Sequence, residues 1–342
     1  MNKKTILLGM PFDNEIFRLI EKNLKYHGFD VVSIVDDISQ FRYPSLSARL
    51  KTKFQQLILK DKQAKSRLKT KLAKQKIVDL LNHIGEVDYA LFIRADIYSY
   101  DLLEYIREHV KFDMVNYQWD GMHRYPDIQS RISLFDRFYV FDPSDISSNT
   151  LPNTNFYFDY DLDDLPNPIN DFYFVGSHLP GRDISIANFS KFAQEKGWKL
   201  DFHIFCGSNP GSYRNFYPNN NINLFNKYRN FQENLERAKL AKVLVDFKTP
   251  IHNGLSFRVF EALGYQRKLI TTNTNIIKYD FYHPNNIFVW NGIQMDDIDN
   301  FLETPYYEID PSIREKYSFR NWIHYILNIK PYQSIDLPNH IN

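Results

Sequence analysis

Residues 249–273 read TPIHNGLSFRVFEALGYQRKLITTN, with polar groups crowded ahead of a short amphipathic run. A helix starting near residues 253–255 would leave unpaired N–H groups that favour a phosphate. Gly254 would let the backbone come close to it, Ser256 would add a hydroxyl donor, and Arg258 would add a cation. Glu261 lies one to two turns on, placed to accept hydrogen bonds from ribose hydroxyls. Two phosphates and a diol make a nucleoside diphosphate. His252 would reach a phosphate or the group it carries. The competing structural reading is a helix cap with a surface ion pair.

Such a cluster needs elements that hold it after a strand. KKTILLGM reads as a buried strand, NEIFRLIEKNLKYHG as a helix closed by Gly28, and FDVVSIV as a second strand. This opening predicts a parallel, doubly wound sheet. VDYALFIR, FDMVNYQ and RFYVFDP continue as strands, with a helix over SYDLLEYIREHV. Residues 150–170 turn polar and read as a linker between two domains. A second set follows. DFYFVGS, KLDFHIFCG, KVLVDF, RKLITT and NIFVW read as strands. Helices are expected over DISIANFSKFAQEKG, FQENLERAKLA, LSFRVFEALGY, DDIDNFLE and IREKYSFRNWIHYIL. PGSYRNFYPNNNINLFN reads as a polar loop. The expected division is 1–155 and 170–325, with a tail, 326–342, returning to the first domain. Ligands of open parallel sheets sit beyond the carboxyl ends of the strands, so the cleft between the two sheets is the expected site.

Composition narrows the classes. The 342 residues carry a net charge of +1, so no global field points to nucleic acid. Aromatics make up 16%, enough either for rings that stack on sugars or for a Phe- and Tyr-rich core. The single cysteine excludes an intramolecular disulfide and fits a reducing compartment. The apolar run near the N-terminus is too short for a signal peptide. No run approaches the roughly 18 apolar residues that span a bilayer. A cytoplasmic protein is expected, touching the inner face of the membrane. Residues 51–76 hold ten Lys or Arg and one acid, Asp61, leaving the rest of the chain net acidic. They read as one or two amphipathic helices, either a solvated face or a patch for anionic lipid headgroups.

HNGLSFRVFEALGYQRKLITTN followed by YDFYHPNNIFVW resembles the donor-binding segment of bacterial GT-B glycosyltransferases of the lipopolysaccharide and capsule type. YQWDGMHRYP with FDRFYVFDP, and FYFVGSHLPGR, are similar to other segments of that family. The resemblance spans roughly residues 90 to 290. It implies an α/β chain of GT-B fold, two Rossmann-like domains facing each other across a cleft. It further implies that Gly254, Leu255 and Ser256 contact a diphosphate, Arg258 neutralises it and Glu261 holds the ribose. Gly176, Ser177 and Arg182 would line the donor side. Many retaining members have Glu eight positions before the ribose Glu; here that position is Asn253, so their stereochemistry does not carry over.

Glycosyl transfer needs a stabilised leaving group and often a base for the acceptor hydroxyl. The first-domain candidates for the base are Asp120, ranked first and beside Trp119, then His123, Asp13 and Asp96. The competing reading of Asp120 is a turn residue in WDG. Residues 159–164 match the Asp-any-Asp pattern of metal-dependent transferases but sit in the expected linker, and no Cys/His cluster has zinc spacing. The expectation is a metal-independent transferase. It would need no cofactor, take a nucleotide sugar as substrate, and act on a glycan or glycolipid acceptor. The alternatives are a nucleotide-sugar epimerase of the same fold and a non-catalytic nucleotide-sugar-binding scaffold.

Overall fold

The computed structural model describes residues 3–35, 41–160, 162, 165–227 and 229–338. The first half contains strands β1 (Thr5–Gly9), β2 (Asp30–Ser33), β3 (Tyr89–Ile93), β4 (Met114–Gln118), β5 (Arg137–Val140) and β6 (Leu151–Pro152). Its helices are α1 (Ile16–Tyr26), α2 (Leu46–Leu57), α3 (Ala64–Ile84) and α4 (Tyr100–Arg107). The second half contains β7 (Asn170–Ser177), β8 (Leu200–Phe205), β9 (Ile222–Phe225), β10 (Ala241–Asp246), β11 (Lys268–Thr271) and β12 (Ile287–Val289). Its helices are α5 (Arg182–Lys196), α6 (Phe231–Lys239), α7 (Phe257–Gly264), α8 (Ile298–Glu303), α9 (Pro311–Lys316) and α10 (Phe319–Ile326).

Every strand pair is parallel, and the strands form two sheets, β2-β1-β3-β4-β5-β6 and β12-β11-β10-β7-β8-β9. Parallel strands are covered on both faces, which is why β1 and β3 read as near-continuous apolar runs, while β4 buries Asn116 and Gln118 among its apolar residues. The strand order reverses between β1 and β3 in one sheet and between β7 and β10 in the other. The loops leaving these four strands therefore border the two crevices where ligands of such sheets bind.

One core lies outside each sheet, and a third runs between the domains. Much of the aromatic excess is spent there. Phe156 meets Phe257 edge-on (5.3 Å between centroids) and packs at a tilt on Trp322 (4.6 Å), and Trp322 meets Tyr117 edge-on at 5.4 Å.

Four expectations change. The polar segment 150–170 is no free linker: β6 joins the first sheet, and Asn153 to Phe158 are each buried. The Tyr157 N–H donates to the Tyr317 carbonyl, and the Phe319 N–H to the Tyr157 carbonyl. The Asn-rich loop contains a short edge strand, β9. The long closing helix is broken before Ser318, whose hydroxyl accepts from the Asn321 N–H and starts α10. The return to the first domain begins in α10 rather than after residue 326: Tyr139 Oη donates to the Tyr325 carbonyl (3.3 Å) and Tyr325 Oη to that of Pro152 (3.2 Å).

Candidate active site

In the first domain the loops after β1, β3 and β4 converge. Arg94, at a left-handed φ of 60°, turns back and donates to both oxygens of Asp96 (3.2 and 2.8 Å). The Asn116 side chain fixes this turn by accepting from the Ala95 N–H (3.0 Å). Arg94 also lies 3.5 Å from Asp120 and stacks on the Tyr125 ring at 3.6 Å, while Arg124 donates to the other Asp120 oxygen (2.7 Å). Asp96 and Asp120 are thus held by guanidinium groups. His123 is exposed and folds back over Gly121, where an added Cβ would lie 2.6 Å from its ring.

Asp13 differs. Its carboxylate has no hydrogen bond or ion pair to any described residue, and it is exposed, yet protein surrounds it. Burial, then the like charge of Asp120, raises its pKa, and Arg94 only partly opposes them. It has the character of a carboxylate on a cleft wall. Asn14 and Glu15, at φ 46° and 60°, make the sharp turn that follows.

In the second domain, helix α7 begins at Phe257 with Ser256 as its N-cap, later than residues 253–255. The Ser256 hydroxyl donates to Asp246 Oδ1 (2.7 Å), and Thr271 donates to the other oxygen (2.8 Å). Gly254 approaches closely, but to the first domain: a Cβ there would lie 2.4 Å from the Phe141 ring and 2.8 Å from the Phe141 carbonyl oxygen. Beside it the Asn253 N–H donates to buried Asp142 (2.9 Å), and Asn155 donates to the Leu255 carbonyl (3.0 Å). The 252–255 loop is therefore a contact between domains.

His252 packs edge-on to Phe141 (4.8 Å), and its Nδ1 lies 3.2 Å from the Gly254 carbonyl. A carbonyl only accepts, so Nδ1 carries the proton and Nε2 keeps its lone pair. Burial lowers the His252 pKa against the pull of Asp120 and Asp142 across the domain boundary. The imidazole is neutral near pH 7.

Arg258 and Glu261 do not form a surface pair. Glu261 is 2% exposed, Arg258 donates to it, and the guanidinium lies 4.6 Å over the Tyr173 ring. Burial pushes the Glu261 carboxyl up and Arg258 pulls it down. At the β7 end, the Arg182 guanidinium donates to the Ser177 carbonyl and rests close against Gly176 and the Phe174 ring (5.5 Å). Burial lowers its pKa against nearby Asp246. Trp119 meets Phe257 edge-on at 6.1 Å, so its ring joins the domain contact.

The sequence reading gave no role to Lys248. It lies two residues beyond the end of β10, and its Nζ donates to Asn253 Oδ1 (3.1 Å) at the start of the 252–255 loop. Its signal was available: it is the first cation after the apolar strand KVLVDF. Among the described residues no group of three His, Cys, Asp or Glu could hold a metal ion. Asp159 accepts from His27 and from the Arg320 N–H, and Asp161, Asp163 and Asp164 lie outside the described residues.

An alpha-glucosyltransferase solved with UDP and a 13-mer DNA containing an HMU base superposes on 93% of this chain and 91% of its own, with 10% identity and a TM-score of 0.53. Its likeness extends over both sheets. The chain has the GT-B fold. A glycosyltransferase from Rickettsia africae (12% identity, 97% and 100% covered, TM-score 0.48) is also similar. So is a UDP-N-acetylglucosamine 2-epimerase (9%, 98% and 100%, 0.48). No protein-family model and no curated protein matches the sequence. The two sheets of this GT-B chain bring Asp13, Asp120, His252, Asn253 and Lys248 to their facing carboxyl ends. Arg258 and Glu261 are held one layer deeper.

Proposed function

We propose that this protein transfers a glycosyl group from a nucleotide-sugar donor to a hydroxyl of a surface glycan or glycolipid, of the lipopolysaccharide or capsule kind, at the cytoplasmic face of a membrane and without a metal. The GT-B arrangement of the two parallel sheets carries the reading. Their carboxyl ends bring the unpaired Asp13 carboxylate to one side of the domain boundary and the His252 imidazole to the other.

In this reading the acceptor O–H gives its proton to Asp13, and its oxygen bonds to the anomeric carbon. The bond from that carbon to the phosphate oxygen breaks, and the electron pair leaves on the diphosphate. Negative charge develops there, and the N–H groups at the start of α7 with Lys248 are the donors that meet it. His252 Nε2 accepts from a sugar hydroxyl. Asp120, held by two arginines, supplies the like charge that keeps Asp13 basic. Glu261 takes the ribose hydroxyls and Arg258 a phosphate, each giving up part of their mutual bond. Gly176, Ser177 and Arg182 form the opposite wall of the donor site.

A thermal-shift panel of UDP-, GDP-, ADP-, CMP- and dTDP-sugars tests donor binding. A ligand at a hundredfold excess over its Kd adds about 2.7 kcal/mol to stability. No shift with any member would overturn the reading. Product analysis then separates the activities: turnover of the nucleotide sugar without acceptor would make the protein an epimerase. A donor that binds but never turns over would make it a binding scaffold.

A further inference from the structure

Helix α2 is turned inside out. At 100° per residue, Leu46, Leu50, Phe54 and Leu57 form one stripe about 80° wide. All four face solvent, with exposures of 77%, 68%, 56% and 76%, and Ile58 and Leu59 continue the patch. The opposite side packs on α3 and holds Ala48, Thr52 and Gln55. Thr52 is 3% exposed and satisfies its hydroxyl within the helix by donating to the Ala48 carbonyl (2.8 Å). An amphipathic helix in a soluble domain turns its apolar stripe to the core; this one presents it outward.

Charge selects what covers the stripe. Arg49 and Lys53 border it on one side and Lys51 on the other, and residues 51–76 together hold ten basic groups against one acid. A second copy would bring the same positive charge against itself. An anionic lipid surface supplies both an apolar interior for the leucines and negative headgroups for the flanking cations. We infer that α2 lies in the plane of an anionic membrane, with the Leu46, Leu50, Phe54 and Leu57 stripe below the headgroups and the lysines at their level. The inference rests on the proposed membrane location but not on the transfer chemistry, so vesicle binding and donor binding can fail separately.

Co-sedimentation of the full chain with phosphatidylglycerol/phosphatidylcholine vesicles, and with phosphatidylcholine alone, tests it. The wild type is expected on the anionic vesicles only, and less so at high salt. Leu50→Glu with Leu57→Glu, both at exposed positions, should lower binding at least tenfold with an unchanged melting curve. Lys51→Gln and Lys53→Gln should each lower it about fivefold, the equivalent of about 1 kcal/mol per basic side chain near such a surface. Ile293→Glu, at a 66% exposed position elsewhere, should change nothing. A Phe54→Trp reporter should shift to the blue with anionic vesicles. A wild type that stays off the anionic vesicles, undiminished binding of the double Glu variant, or a reporter that does not shift would each overturn the inference.

Discussion

The close approach of Gly254 to Phe141 can be tested by one methyl group. Gly254 does not adopt a positive φ, so Gly254→Ala puts no strain on its own backbone. The cost is steric. The new Cβ would lie 2.4 Å from two ring carbons of Phe141 and 2.8 Å from its carbonyl oxygen, against about 3.5–4.0 Å for a comfortable carbon contact. The ring can tilt. The carbonyl belongs to the chain leaving β5 and cannot, so the 252–255 loop must retreat. Overpacking of this kind costs about 1–3 kcal/mol. Retreat also stretches the 2.9 Å hydrogen bond from the Asn253 N–H to Asp142, and losing it costs about 1.5–3 kcal/mol more. With about 2.1 cal/mol/K of unfolding entropy per residue, a chain of 342 residues loses one degree of Tm for roughly 0.7 kcal/mol. Overpacking alone therefore lowers Tm by about 1.5–4 °C, and both effects together by up to about 8 °C. Scanning fluorimetry reads this directly. Phe141→Leu added to Gly254→Ala should restore part of the loss, because the ring edge leaves while the carbonyl stays. An unchanged Tm with weakened nucleotide binding would refute the argument and return Gly254 to the role of admitting a phosphate.

Asp13→Asn should lower turnover by about 10²–10⁴-fold, the usual contribution of a general base, while the donor thermal shift stays as in the wild type; near-normal turnover would move the role to Asp120, Asp96 or His123. Only the deprotonated base works, so kcat/KM should fall as pH drops through the raised Asp13 pKa, and Asp120→Asn, by removing the like charge, should move that limb to lower pH. Lys248→Ala should weaken donor binding by about 1.5–3 kcal/mol in calorimetry. Glu261→Ala should destabilise the fold by about 3–5 kcal/mol, because Arg258 is left charged and buried. Adding Arg258→Met should recover much of that loss, whereas two additive losses would show that the groups do not act as a pair. EDTA should leave turnover intact, and loss restored by magnesium or manganese would disprove a metal-free reaction.

The doubly wound fold was legible because both faces of its strands are buried. KKTILLGM and VDYALFIR have no polar alternation to confuse them, and the strands alternate with amphipathic helices such as α1. The segment 150–170 was misread for a physical reason. Its Asn, Thr and Tyr residues look solvated, but Tyr117 donates to the Asn155 carboxamide and Asn155 in turn to the Leu255 carbonyl (2.9 and 3.0 Å). Polar groups satisfied in this way can be buried, and composition does not record the partner. The site was legible residue by residue but not as a geometry. The small, polar 252–256 run marks a tight loop whether the neighbour is a phosphate or Phe141. Arg258 and Glu261 at i and i+3 are a helical pair in either case, and only the position of Tyr173 shows that the pair is buried. Lys248 carries no such mark, because a cation just after an apolar strand reads equally well as a solvated surface charge.

The ties between the domains decide how a ligand must enter. The strap at 153–160 and helix α10 belong to both halves, and the contact they make is rich in buried aromatic rings. Swinging the domains apart would expose Phe156 and Trp322, each ring an apolar area whose burial is worth a few kcal/mol, and would uncover the half-buried Phe257 further. Local rearrangement at the carboxyl edge costs less, because its groups are joined by single hydrogen bonds. Lys248 holds Asn253, Asn253 holds Asp142, His252 holds the Gly254 carbonyl, and Ser256 holds Asp246. A nucleotide sugar that binds there replaces bonds already made, so its affinity is a difference between two sets of contacts rather than a sum of new ones. A variant that removes only an internal partner, such as Asn253→Ala, frees Lys248 for the ligand while keeping the Asn253 N–H on Asp142. It should therefore bind donor at least as tightly as the wild type, whereas Lys248→Ala should not. A loss of affinity in Asn253→Ala equal to that in Lys248→Ala would mean that Asn253 itself touches the donor.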